Sequence, residues 1–269
     1  MGVKVEASQP LRIDTIESAV PAPHLSIIPG GASVVLPRQL SPYDRVDRLS
    51  AAIDWKSYLP ERAATASWIW EQRVKRAMDI VLAATLLVVL SPLLLLIGLA
   101  VKLTSPGPVF YEFRVLGKNA RRFVAYKFRT MVANADELKP GLMRENEMKG
   151  PAFKMRCDPR VTPLGRWLRK FSLDELPQLW SVLIGDMRMV GPRPPFAEEF
   201  VRYEPWQWGR LAVTPGITCI WQVAGRSDIR DFDEWAALDM RYIRNWNLAL
   251  DCRILLQTVP AVLQGRGAY

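Results

Sequence analysis

The sequence predicts an α-rich α+β fold, with a membrane helix broken at Ser91-Pro92, interfacial helices, and a compact domain containing a short β-hairpin. Three observations carry this. Residues 80–101 form an uncharged apolar run long enough to enter a bilayer. Two segments rich in aromatic and β-branched residues flank Gly117-Lys118-Asn119, the pattern of a hairpin. The chain beyond them reads as helices punctuated by proline and glycine, as in Thr162-Pro163-Leu164-Gly165 and Thr214-Pro215-Gly216.

Composition narrows the chemistry. With 269 residues, 49% of them hydrophobic, the chain is long enough for one sizeable domain plus appendages. A net charge of +9 attracts anions, whether nucleic acid, anionic headgroups or a phosphorylated small molecule. Cys157, Cys219 and Cys252 are odd in number and lack CxxC spacing, so neither a disulfide framework nor a zinc site is implied and a reducing compartment fits. The single histidine, His24, lies in a proline-rich stretch, which removes Ser-His and Cys-His nucleophile systems. No Walker A loop and no GxGxxG after a strand occurs. An enzyme of this composition must draw its nucleophile, base and metal ligands mainly from carboxylates.

Taken in order, residues 1–60 contain seven prolines and no sustained apolar period, and are expected to be a largely disordered leader. It is not a signal peptide, because the apolar run begins some eighty residues in. Residues 61–104 read as a membrane-associated helical segment. As a straight helix, the 22 residues of 80–101 would reach roughly 33 Å, against a hydrocarbon core of about 30 Å. Pro92 at its centre removes a backbone donor and predicts a kink. Arg73, Lys75 and Arg76 precede the run and Lys102 follows it, so flanking charge assigns no orientation. A kinked span and a helix-break-helix that enters and leaves by one face both satisfy these facts, and a buried core helix is the lesser alternative. Residues 105–269 form the expected catalytic domain, with the hairpin in residues 109–128. Trp206 and Trp208, beside Pro205 and Arg210, suggest interfacial anchors, whereas Trp167, Trp180 and Trp221 suit core packing equally well.

Ser172-Leu173-Asp174-Glu175 is, at its plainest, a capping box, with serine at the cap and glutamate three residues on. Pro177 permits Asp174 as an alternative cap, and either register puts both acids at a helix N-terminus, where ionised carboxylates and phosphate are favoured. Two adjacent carboxylates among arginines suit phosphoryl transfer: one as nucleophile, the other holding Mg²⁺, with arginines on the phosphate oxygens. Arg169 and Arg193 are candidates for that last role, and Lys127 and Arg129 add charge from the hairpin. Each base alone is more simply a solvated surface residue. A glycoside hydrolase needs its carboxylates on either side of a sugar, which adjacent residues at a helix start rarely achieve. Nucleic-acid binding fits the charge and, faintly, the aromatic residues among the bases of residues 121–129, but not the apolar run.

Several motifs occur in one order: Lys127-Phe128-Arg129-Thr130-Met131, Asp158-Pro159-Arg160-Val161-Thr162-Pro163-Leu164-Gly165, residues 172–179, Gly191-Pro192-Arg193-Pro194, Thr214-Pro215-Gly216-Ile217-Thr218, Trp221-Gln222-Val223 and Gly225-Arg226-Ser227. Over residues 72–269 the chain strongly resembles the bacterial sugar transferases, the polyprenyl-phosphate hexose-1-phosphate transferases or monotopic phosphoglycosyl transferases, of exopolysaccharide-initiating type. The resemblance implies a re-entrant helix with both ends cytosolic and a catalytic domain on the cytosolic face of the inner membrane. It implies a Mg²⁺-dependent transfer of hexose-1-phosphate, galactose or glucose, from a UDP-hexose to undecaprenyl phosphate, with release of UMP and without nucleic acid. Matched by position, Asp174 is the nucleophile, Glu175 the Mg²⁺-associated acid and Arg169 a phosphate contact, while Lys127, Arg193, Arg226 and Asp239 match other active-site positions. A homo-oligomer and polysaccharide-assembly partners accord with the same resemblance. Cys219, Ala224 and Arg188 depart from the family's usual residues, and Arg188 is expected at the rim of the site.

Overall fold

A computed structural model describes residues 40–224 and 229–265. It is mostly helical with two small sheets. The first helix, α1 (Pro42–Ala52), corrects the expectation of a leader extending to residue 60. Ser41 and Asp44 form a reciprocal capping box, Asp44 N–H donating to Ser41 Oγ at 3.2 Å, and Pro42 sits where a helix needs no donor. Val46 of α1 is fully buried among Leu116, Phe200, Phe232 and Trp235, so residues 42–52 belong to the packed domain. Residues 1–39 lie outside the described part.

The apolar run falls in α2 (Ala66–Val89) and α3 (Ser91–Thr104). No single helix among the described residues is long and apolar enough to cross a membrane, but this pair passes that test jointly, bent by 62°. A proline inside a continuous helix costs about 3 kcal/mol. Ending α2 at Val89 avoids that cost, because Pro92 then lies in the first turn of α3, where no N–H is needed. Ser91 Oγ donates to the Val88 carbonyl at 2.8 Å, satisfying an acceptor that the break exposes.

The hairpin is present as expected. β1 (Phe110–Leu116) pairs antiparallel with β2 (Arg122–Phe128), and Asn119 and Ala120 take left-handed backbone in the turn. The chain then passes through α4 (Ala135–Leu142) and folds back so that Met131 bridges Val161, next to the start of α5 (Pro163–Lys170). Gly165 is required here: any side chain would collide with the Thr130 carbonyl. After α6 (Leu179–Ile184) comes a second sheet that the sequence did not suggest, a parallel pair of β3 (Arg188–Val190) and β4 (Gly216–Thr218). Three-residue strands carry too little alternation to be seen as a period. Between and after these strands lie α7 (Ala197–Phe200), α8 (Ile220–Ala224), α9 (Phe232–Asn245) and α10 (Leu248–Gln264).

Two large apolar clusters form the core. A third, smaller one matters more for function: Ile97 and Val101 of α3 pack with Phe128 of β2 and Leu168 of α5, seating α3 against the elements that flank the acidic motif. The tryptophans distribute differently from expectation. Trp206 and Trp208 pack against the core, while Trp167 and Trp180 are 58% and 55% exposed and Trp221 is buried.

Candidate active site

α5 is capped by Thr162, whose Oγ1 accepts from Gly165 N–H at 2.9 Å, and its last turn carries Arg169. The next turn, residues 173–178, is a 3₁₀ helix holding Asp174 and Glu175. This revises the capping-box reading. Ser172 has left-handed backbone (φ 51°), not the extended conformation of such a cap, and the turn is entered by a sharp reversal. Asp174 is buried, 6% exposed, and Glu175 half-buried. β2 packs along the same turn and delivers Lys127.

Electrostatic coupling identifies what meets there. Burial, reinforced by the Arg169 and Arg193 charges, depresses the Lys127 ammonium below the ordinary lysine range, while Asp174 and Glu175 pull the other way. Burial likewise lowers Arg169, opposed by Asp174, Asp158 and Glu175. Lys127 therefore lies in electrostatic range of four other sequence candidates, Arg169, Asp174, Glu175 and Arg193, and Arg169 in range of both acids. The Lys127 ammonium sits 5.3 Å from both the Tyr111 and the Phe113 ring centroids, which fixes its position from the strand side.

The other three candidates differ. Arg129 points elsewhere: its guanidinium donates to the carbonyls of Ser105, at 2.8 Å, and Pro106, tying the end of α3 to the hairpin. β2 ends at Phe128, so the alternation that would keep residues 127 and 129 on one face does not extend to Arg129. Asp239 is fully buried and accepts from Arg210 Nε at 2.7 Å. Arg226 lies outside the described residues.

Some structural contributors were not assigned from the sequence. Asp158 and Arg160 form a buried fork, Nε to Oδ1 at 2.9 Å and Nη2 to Oδ2 at 2.6 Å. Burial opposes ionisation of Asp158, but Arg160 overrides it and the carboxyl is lowered overall. Their two-residue spacing was a readable signal. Arg193 donates to Glu199 Oε2 at 3.1 Å, and burial of Arg193 is more than offset by that carboxylate. Arg210 and Tyr203 join at 2.7 Å behind it. Cys219 is buried, its thiol raised first by desolvation and then by Asp239, with Glu175 also in range. Arg188, expected at the rim of the site, instead faces Asp79 of α2 at 3.7 Å.

Such an arrangement suits one kind of chemistry. A buried carboxylate flanked by a second acid and by three cations can attack a phosphorus whose oxygens those cations bind. Among the described residues no cluster of three metal-ligating side chains occurs, so a divalent ion here would take one or two carboxylates and complete its shell with phosphate oxygens and water, as Mg²⁺ does.

The family model described as bacterial sugar transferase matches residues 70–265. The galactosyl transferase CpsE of Streptococcus agalactiae is 46% identical over 162 residues, covering 60% of this chain and 36% of that protein. The exopolysaccharide production protein ExoY of Rhizobium meliloti is 41% identical over 199 residues, 72% of this chain and 88% of its own. The undecaprenyl-phosphate galactose phosphotransferase of Salmonella typhimurium is 40% identical over 200 residues, 73% of this chain and 42% of its own.

Proposed function

We propose that this chain, which belongs to the bacterial sugar transferase family, transfers a hexose-1-phosphate from a UDP-hexose to undecaprenyl phosphate, as a first membrane step in exopolysaccharide assembly. The observation that carries the reading is that the turn bearing Asp174 and Glu175 packs against β2, which brings Lys127 into range of both acids, of Arg169 at the end of α5 and of Arg193. Galactose is the favoured sugar, on the names of the streptococcal and Salmonella relatives, with glucose the alternative.

In this reading an Asp174 carboxylate oxygen attacks the sugar-bearing phosphorus of the donor. The bond from that phosphorus to the bridging oxygen breaks, UMP leaves with the electron pair, and a phosphosugar-aspartyl ester remains. An oxygen of undecaprenyl phosphate then attacks the same phosphorus, forming the lipid diphosphate sugar and restoring the Asp174 carboxylate. Arg169, Arg193 and Lys127 bind the phosphate oxygens and hold them in line. Glu175 fits as the carboxylate that would hold Mg²⁺, which when bound neutralises charge developing on the phosphates.

The acceptor is a lipid, so the site must lie at a bilayer surface. The bent pair α2 and α3 is read as a re-entrant segment with both ends on the cytosolic side. Its exposed Val81, Val88, Leu95, Leu99 and Leu103 support burial in lipid, and exposed Trp167, Trp180, Leu256 and Leu263 on α5, α6 and α10 support interfacial seating.

The test supplies detergent-purified full chain with UDP-galactose or UDP-glucose, Mg²⁺ and polyprenyl phosphate, and measures UMP. Wild type should release UMP, and Asp174→Asn should abolish release while remaining membrane-associated. Normal turnover by that variant removes Asp174 as nucleophile.

A further inference from the structure

Resting on that reading, we infer that Glu199 and Arg210 are positioning residues, links in a largely buried chain of charges that holds Arg193 by its side chain and its carbonyl and presents its guanidinium to the site. Arg193 stands between Pro192 and Pro194, so its segment has little backbone freedom of its own. The surroundings remove what is left. Gly216 N–H donates to the Pro192 carbonyl at 3.0 Å, Leu116 N–H to the Pro195 carbonyl at 2.9 Å, and Arg210 Nη2 to the Arg193 carbonyl at 3.5 Å.

The side chain is held separately. Arg193 Nη1 donates to Glu199 Oε2 at 3.1 Å, and that oxygen also accepts from Phe196 N–H at 3.3 Å, so the carboxylate is pinned to its own helix start. An arginine has five donors in a rigid fork. With Nη1 committed to Glu199, no group among the described residues takes Nε or Nη2, and that edge remains for an incoming anion.

Arg210 is braced in turn. It is 2% exposed, donates through Nε to Asp239 and through Nη1 to Tyr203 OH, each at 2.7 Å, and lies 5.0 Å from the Phe232 ring centroid. From Glu199 to Asp239 the order is thus carboxylate, arginine, arginine, carboxylate: each arginine has its own carboxylate, and the two arginines are joined through the Arg193 carbonyl. Asp239 in this scheme acts through Arg210 and does not touch substrate. A chain of this kind transmits a change at Glu199 or Arg210 to the site only by moving Arg193, which is what separates positioning from general stability.

The experiment is a double-mutant cycle on the full chain in detergent, read as kcat/KM for the UDP-sugar from UMP release, with melting temperature recorded for each variant. Glu199→Gln keeps the shape and removes the charge, and should lower kcat/KM by about tenfold, mainly through KM. In an Arg193→Ala background the same change should matter less than about twofold, because the residue it acts through is gone. Arg210→Lys, which keeps charge but loses the fork, should show the same non-additivity and provides a second cycle if Glu199→Gln folds poorly. Additive losses in both cycles, or losses that merely track melting temperature, overturn the inference and leave the proposed activity standing. A wild-type chain that releases no UMP overturns both.

Discussion

Lys127 has an ammonium that must be both charged and partly desolvated. Burial and two neighbouring arginines depress its pKa, so it releases its proton at a lower pH than a free lysine. If it binds donor phosphate, kcat/KM should begin to fall on the alkaline side below the ordinary lysine range, and Lys127→Arg should carry that limb upward in a pH–rate profile. An unmoved limb would remove Lys127 from donor binding. Stability runs the other way over that interval: the unfolded chain binds the extra proton, so the fold gains with rising pH while activity declines. Nearby Tyr111 does not confuse the profile, since burial and then Asp136 push its hydroxyl up to about 12. The clustered candidates were legible because they sit in short motifs of acid, base, proline and glycine at fixed local spacing. Glu199 and Arg210 were not: Glu199 stands outside the motif that contains Arg193, and Arg210 pairs with Asp239, itself named only through the resemblance, across a distance that leaves no local pattern. Arg129 misled because it stands two residues from Lys127, as a strand neighbour would, just past the point where the strand stops.

The break between α2 and α3 is the element on which the membrane reading turns. Composition marks its position, since Ser91-Pro92 interrupts an otherwise uncharged run, and the 62° bend suits both a broken span and a re-entrant segment. Replacing both residues, Ser91→Leu with Pro92→Leu, restores the missing donor and removes the side-chain bond to Val88. The helix should then continue and pull residues near 105 away from the face that holds the site. Labelling of a cysteine placed at Ser105 by a membrane-impermeant thiol reagent, in a background lacking the three native cysteines, should change sides, with loss of UMP release. Unchanged labelling and full activity would show that the bend is imposed by packing of Ile97 and Val101 alone. The tryptophans teach a related lesson about elements: neighbouring Pro and Arg said little about Trp206 and Trp208, whereas burial of the opposite face of α5 and α6 left Trp167 and Trp180 outside.

At the scale of the molecule, Lys75 links α2 to the rest. Read as a flanking charge, it is in fact buried, donating to Asp251 of α10 and, at 3.0 Å, to the Val190 carbonyl of β3. Tyr242 of α9 and Trp246 complete the cluster by donating to Asp251 at 2.7 and 3.0 Å. Breaking a buried pair by removing one partner costs about 3–5 kcal/mol, whereas replacing both by apolar groups is often neutral. Lys75→Met alone should therefore destabilise by that amount, and Lys75→Met with Asp251→Leu should recover most of it, as measured by denaturant unfolding in detergent. Equal losses in the single and the double variant would mean that packing, not charge, governs this junction.

The same whole-molecule view bears on α1. Its residues precede the span shared with the family, yet Val46 fills a hole in the first cluster and Arg122 of the hairpin clasps Asp47 at 2.5 Å. Anyone trimming the gene to the homologous boundary would uncork that cavity, wet the flank of Leu116 and Phe200, and obtain a sticky, poorly expressed product whose silence in an assay would say nothing about its chemistry.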